Sequence, residues 1–285
     1  MGIVGADQWS AQLEAIKKIM NIIVIIRQTP DTETKIKLDS EGKKIDPTGI
    51  TWIINPYDEF TIEKALKIKE KINAGEVETR CSVSLLACGP SRTEEAIRQG
   101  LAMGADRAVF IKDDALEHAD PFTISKLIAA ELKNMQYDLV LSGKKVIDLE
   151  STQIPIFVAE ELGLTHVSFV MKFTEIDPAK KVIICDREAE GSHEIIEVQL
   201  PALVTCDRGE DFPRYASITG IMKAKKKEIK EITPSKDLIS QTGSRTEIVN
   251  MDLPPSRKEA KIFEGEVPEK VAALVKALRE ESEVI

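Results

Sequence analysis

The stretch Gly143-Lys144-Lys145-Val146-Ile147-Asp148-Leu149-Glu150-Ser151-Thr152-Gln153 holds the residue types best suited to binding a charged ligand. It follows the apolar run Asp138-Leu139-Val140-Leu141 and leads into a helical pattern over residues 152–162. A strand-to-helix connection leaves the first amides of the helix without intrahelical partners. Those amides, together with the helix dipole, favour a phosphate. Ser151, Thr152 and Gln153 add small polar side chains, and Pro155 falls in the first turn, where a missing donor costs least. An ordinary loop closed by a Ser or Thr cap is the plainer reading of the same residues.

Other chemistry is hard to build from this chain. No two glycines stand two apart, so there is no G-x-G-x-x-G, and there is no Walker A sequence. His118, His166 and His193 are scattered, and none lies near a nucleophile. Cys88 ends an apolar run beside Gly89-Pro90, with no neighbour to activate its thiol. Cys81, Cys88, Cys185 and Cys206 form no CxxC pair and no metal-ligand spacing with the histidines, so they read as reduced thiols. No catalytic residue and no metal site is expected. A binding crevice without acid, base or nucleophile is what cofactor-borne redox chemistry would need.

Composition narrows the classes further. With 39 Lys and Arg against 48 Asp and Glu, the net charge of −9 argues against general nucleic-acid binding, which depends on neutralising phosphates. The basic run Lys223–Lys227 is short and reads as a solvated face, with a partner or nucleotide contact as the alternative. No signal-peptide pattern and no run of 18 apolar residues occurs, so a cytoplasmic chain without membrane insertion is expected.

Alternating elements must position the loop. Ile22-Ile23-Val24-Ile25-Ile26 is a β-branched run of the kind buried on both faces of a parallel sheet. A hairpin-like stretch over 34–46 turns at Ser40-Glu41-Gly42, and the apolar Ile50 to Ile54 follows. Asp58 is expected to cap a helix carrying Ile62, Ala65, Leu66 and Ile72. Strands are expected at Ser82–Ala87, Ala108–Ile111 and Asp138–Leu141. Ser91-x-x-Glu94 reads as a capping box, and Asp120-Pro121 as a cap followed by a first-turn proline. This β-α-β alternation predicts an α/β fold with a doubly wound, mostly parallel sheet. Residues 166–206 alternate instead like a small antiparallel section, with strands at Val167–Phe173, Val182–Cys185 and Ile195–Leu200. Beyond Ile232 the chain turns polar and ends in an amphipathic helix, Pro268–Arg279. The expected organisation is an extension (1–19, with Trp9, Leu13 and Ile16 on one helical face), an α/β domain (20–232) and a C-terminal arm (233–285).

In such a sheet the ligand lies beyond the carboxyl ends of the strands. The segments there are Arg27–Asp31, Asn55–Asp58, Ala87–Ser91 and Ser142–Gln153.

Several segments, in this order, resemble electron-transfer flavoprotein β subunits. They are Asn21–Asp31 (a hydrophobic strand, a basic residue, then Pro-Asp), Asn55-Pro56-Tyr57-Asp58-Glu59 and Cys88-Gly89-Pro90. Ala102-Met103-Gly104-Ala105-Asp106-Arg107, Arg187-Glu188 through to Leu200–Thr205, Pro213–Ser217 and Ile221–Lys227 continue the match. The resemblance implies a Rossmann-like, adenine-nucleotide-hydrolase-like domain whose C-terminal arm reaches round a partner. It implies a heterodimer with an α subunit that carries FAD. In the β subunit itself it implies AMP in simple members, or a second FAD that takes hydride from NADH in electron-bifurcating members. Electrons would pass to or from a flavin-dependent dehydrogenase of the acyl-CoA dehydrogenase type. Carried over to this chain, the nucleotide contacts are Ile25, Arg27, Asn55, Tyr57, Asp58, Cys88, Gly89, Gly143, Val146, Ile147, Asp148, Glu150, Ser151, Thr152 and Gln153.

Departures from the family pattern are Lys145 for Gln, Val146 for Ala, Leu149 for a small or acidic residue, Glu150 for Asp, and Pro155 for the Gly of bifurcating members. Asn55–Asp58 and Ser217–Gly220 lean towards the bifurcating branch. The leucine that anchors the dehydrogenase in simple members has no counterpart in Arg208–Phe212. A stand-alone adenine-nucleotide sensor and an ATP-pyrophosphatase-type enzyme share the sheet. The polar arm speaks against the first, and the absence of a Ser-Gly-Gly phosphate loop speaks against the second.

Overall fold

The computed structural model describes residues 19–75, 79–235, 239, 243–255 and 259–285. The helix expected within residues 1–19 lies outside them, apart from Ile19, which opens the first strand.

That strand, β1 (Ile19–Ile26), is the β-branched run. Side chains alternate across a strand, so Ile22, Val24 and Ile26 enter one core and Ile23 and Ile25 the other. Helices α1 (Pro56–Ala74) and α2 (Glu94–Met103) cover the first face with Ile62, Leu66, Ile97 and Leu101. Helices α3 (Pro121–Leu132) and α4 (Gln153–Leu162) cover the second with Leu127, Ile128, Leu132 and Val158. Each such side chain contributes roughly 1.5–3 kcal/mol by leaving water. Burial on both faces is what a mostly parallel sheet demands.

The remaining strands are β2 (Gln28–Pro30), β3 (Trp52–Ile54), β4 (Arg80–Gly89), β5 (Arg107–Lys112), β6 (Leu139–Gly143), β7 (Thr165–Asp177), β8 (Val182–Ala189), β9 (Ser192–Gln199), β10 (Ala202–Cys206) and β11 (Ile229–Ile232). Nine of these eleven strands form one sheet in the order β11-β5-β4-β1-β6-β10-β7-β8-β9, parallel from β11 to β7 and antiparallel from β7 to β9. The fold is therefore α/β and doubly wound, as the alternation predicts. The chain leaves β1 towards β4 and β5, then returns to lay β6 on the other side of β1, with Ile25 level with Ser142. In an open α/β sheet such a reversal is where a ligand crevice is expected, here at the carboxyl ends of β1 and β6.

Three local expectations are corrected. Helix α1 starts at Pro56, with Asn55 in the cap position, and Asp58 sits inside the first turn. Proline is preset for the first helical position and so advances the start. Ser91 and Glu94 make no capping box: Ser91–Thr93 is a 3-10 turn, and the Ser91 amide donates to Asp114 Oδ1 at 2.7 Å. The antiparallel section runs longer than its apolar alternation, because β7 and β8 continue through charged residues that pair across the ladder.

The chain divides into two compact units, 1–36 with 47–248 and 37–46 with 249–285. The larger holds the sheet and also α5 (Ile218–Ala224). In the smaller, Leu38 bridges Ile45 and the Met251 amide donates to the Gly42 carbonyl at 2.8 Å. Its helix, α6 (Val267–Glu280), buries no residue, although Val271, Leu274 and Val275 give it an apolar stripe. Among the described residues no helix is long and apolar enough to cross a membrane.

Candidate functional site

Asn55 and Asp58, at the start of α1, organise the crevice. Asn55 is fully buried. Its side chain is drawn away from capping α1: Nδ2 donates to the Lys145 carbonyl at 3.0 Å, and Oδ1 accepts the Ile147 amide at 3.3 Å. It thus holds the loop after β6. Asp58 is also buried, and its two oxygens accept the amides of Arg27 (2.8 Å) and Gly143 (3.0 Å). Burial pushes its carboxyl up to about 7, against the opposing pull of the Arg27 amide, Asn55, the Gly143 amide and the Arg27 charge.

Gly143 shows why this position takes no side chain. A Cβ there would lie 2.4 Å from Asp58 Oδ1 and 2.8 Å from Tyr57 Cβ. Beyond it the loop folds on itself. The Val146 amide donates to the Ser151 carbonyl (3.0 Å), the Leu149 amide to Asp148 Oδ1 (2.9 Å), and the Gln153 amide reaches Ser151 Oγ at 3.4 Å. Glu150 takes a left-handed φ of 51°, a conformation that costs about 1–2 kcal/mol in most residues. Thr152 precedes α4, and its side chain caps no amide of the helix. Among the described residues nothing accepts the amides of Asp148, Ser151 and Thr152. Loop and helix start together keep unspent donors at the switch point, the arrangement that suits a phosphate. The residues present fit a phosphate on that ground.

Three cations here are already matched. Arg27 Nη2 meets Asp148 Oδ2 at 3.0 Å, Lys145 pairs with Glu150, and Lys144 pairs with Asp207. The Tyr57 ring is flanked by Lys144 (5.3 Å), Lys145 (5.8 Å) and Arg208 (5.2 Å). Nothing in the sequence pattern marks Asp207 and Arg208 in advance. They follow β10, a short strand that enters the crevice only once it is seen to pair with β6.

The expected site residues therefore converge. Arg27, Asn55, Tyr57, Asp58 and the loop from Gly143 to Gln153 gather at the ends of β1 and β6. Ile25 reaches the crevice only through its backbone, since its side chain lies in the second core. Cys88 and Gly89 end β4, the next strand, where Ile26 is level with Ala87. Of the loop departures, Leu149 is 55% exposed, whereas Pro155 is buried in the first turn of α4.

Nucleophilic chemistry has no support at these thiols. Burial pushes Cys81, Cys185 and Cys206 up to about 12, and Cys88 higher still. Among the described residues no cluster of three His, Cys, Asp or Glu side chains is placed to hold a metal ion.

A family model described as the Electron transfer flavoprotein domain matches residues 43–237. The electron transfer flavoprotein subunit beta of Thermoanaerobacterium thermosaccharolyticum is 36% identical over 265 residues, which span 91% of this chain and 98% of that one. Its Bacillus subtilis counterpart is 36% identical over 269 residues, 93% of this chain and all of the relative. The Caffeyl-CoA reductase-Etf complex subunit CarD of Acetobacterium woodii is 34% identical over 268 residues, with 92% and 98% covered. With that likeness running over nearly the whole of both chains, the chain belongs to the electron transfer flavoprotein β-subunit family.

Proposed function

We propose that the crevice at the ends of β1 and β6 holds the adenosine phosphate part of FAD, or AMP in its place. In this reading the chain works as a heterodimer with an FAD-carrying α subunit. The observation that supports it most is the loop between β6 and α4, where Gly143 admits close approach and the amides of Asp148, Ser151 and Thr152 are unspent. Arg27, Asn55, Tyr57, Cys88 and Gly89 line the nucleotide, and residues Gly143 to Gln153 grip its phosphate. A flavin in this place supplies reversible electron and hydride chemistry. The chain's own side chains bind and orient it, and none serves as acid, base or nucleophile.

A phosphate arriving at the loop competes for cations that are already paired. Lys145 is the one it wins most easily, because Glu150 is the most exposed carboxylate of the three pairs, with a side chain 66% exposed against 16% for Asp148 and 9% for Asp207. Exposed pairs are weak, at about 0–1 kcal/mol.

Residues 20–232 form the nucleotide domain in this reading, and the arm over 233–285 packs on the α subunit. The uncovered stripe Val271, Leu274 and Val275 supports that role. The Acetobacterium relative is named as part of a caffeyl-CoA reductase–Etf complex. That supports a flavoenzyme acting on CoA thioesters, of the acyl-CoA dehydrogenase type, as the electron partner here. Four free cysteines accord with a reducing cytoplasm.

Co-expression with the α subunit, followed by release and counting of flavin and AMP per heterodimer, tests the reading. Two flavins identify FAD in the β crevice, and one flavin with one AMP identifies AMP. A heterodimer whose only nucleotide is the α-subunit flavin contradicts the proposal.

A further inference from the structure

Asp58 is an odd residue to bury for the sake of the fold. Among the described residues no cation forms an ion pair with it, because Arg27 turns its guanidinium to Asp148 and Lys144 turns to Asp207. Its carboxylate accepts two backbone amides, that of Gly143, the last residue of β6, and that of Arg27, just past the end of β1. The ladder between these strands has its last pair at Ile25 and Ser142. The carboxylate takes over beyond that point, as a bridge between two ends that would otherwise part.

Only an ionised carboxylate makes this bridge in full. A protonated carboxyl turns one oxygen into a donor and a poorer acceptor, so one of the two amides loses its charge-assisted bond. With both oxygens committed, the side chain has little left to offer a ligand directly. Resting on the nucleotide reading above, we propose that Asp58 is a positioning residue: its ionised carboxylate ties the ends of β1 and β6 together and so sets the crevice for the nucleotide.

The neighbours allow Asp58 to act as a pH-dependent latch. Arg27 at the end of β1 favours the charged form, as does the side chain of Asn55 at the start of α1. From β10 comes Cys206, which burial keeps protonated with a thiol pushed up to about 12. Beyond it stand Lys64 and Asp207, which act on that thiol. β6 brings only the Gly143 amide. The carboxyl itself, held up to about 7, titrates near neutrality. Nucleotide affinity therefore falls as pH drops through that value and the latch opens.

The test measures AMP binding to the nucleotide-stripped heterodimer, wild type and Asp58→Asn, at about pH 6 and about pH 8.5. The ratio of the two affinities cancels the ionisation of AMP itself. Expected is a loss of about tenfold or more in Asp58→Asn at the higher pH, shrinking towards none at the lower. An equal affinity in the two proteins at both pH values overturns the latch and leaves the nucleotide reading standing. A wild-type complex that binds neither AMP nor FAD in the β crevice overturns both. Should Asp58→Asn fail to fold, the amide nitrogen shift of Gly143 in the wild-type complex decides. A titration midpoint near 7 supports the latch, and a shift unchanged through neutrality overturns it.

Discussion

Burying Asp58 lifts its carboxyl from 3.8 to about 7, so between those values the folded chain keeps a proton that the unfolded chain has released. Its contribution to stability is fully present below the lower value and is lost as pH rises through the upper one. Between about pH 5 and 8 the loss is of order 3 kcal/mol. Asp58→Asn lacks this slope. Its melting temperature relative to wild type should therefore rise from pH 5 to pH 8 in calorimetric scans, and a falling difference contradicts the assigned burial cost. The Arg214 fork holds both oxygens of the buried Glu63 at 2.7 and 2.9 Å and extends to Glu70. Removing it leaves a buried carboxylate unpaired. Arg214→Ala should cost about 3–5 kcal/mol in denaturant unfolding. Arg214→Lys should recover little, since an ammonium cannot match the fork, whereas adding Glu63→Gln to Arg214→Ala should restore part of the loss.

The loop between β6 and α4 depends on a backbone approach that a single methyl group destroys. Gly143→Ala puts a Cβ into Asp58 and Tyr57. The expected result is a loss of about 1–3 kcal/mol together with a lower nucleotide content in the purified complex; full occupancy contradicts the arrangement. Elements of this kind differ in how far the sequence reveals them. Strands β1, β4, β5 and β6 announce themselves as apolar runs because both of their faces are buried. Asp120 caps α3 as its sequence implies, accepting the Thr123 amide at 2.8 Å. Burial raises that carboxyl, yet the amides of Thr123, Arg245 and Thr246 outweigh burial and leave it lowered. Strand β11 escapes notice because two of its four residues are charged, as befits an edge strand. Asn55 misleads because it looks like a cap while its side chain serves a loop distant in sequence. The segments that build the crevice are legible one by one. The bridge made by Asp58 is not, since it joins amides 31 and 85 positions away.

At the scale of the molecule, the core lies within the larger unit, and the smaller unit exposes its apolar side chains. Val271 and Leu274 remain 54% and 46% exposed. Ending the chain at Ile248 should leave the α/β domain folded, with circular dichroism and melting close to those of the full chain, while co-purification with the α subunit disappears. Retained pairing contradicts the role given to the arm. Hydrogen exchange read by mass spectrometry decides whether a nucleotide sits at the switch point between β1 and β6. On adding AMP or FAD to the nucleotide-stripped heterodimer, exchange should slow in β-chain peptides covering Arg27, Asn55–Asp58 and Gly143–Gln153. Slowing confined to other segments, with these peptides unchanged at saturating ligand, contradicts a nucleotide at this place.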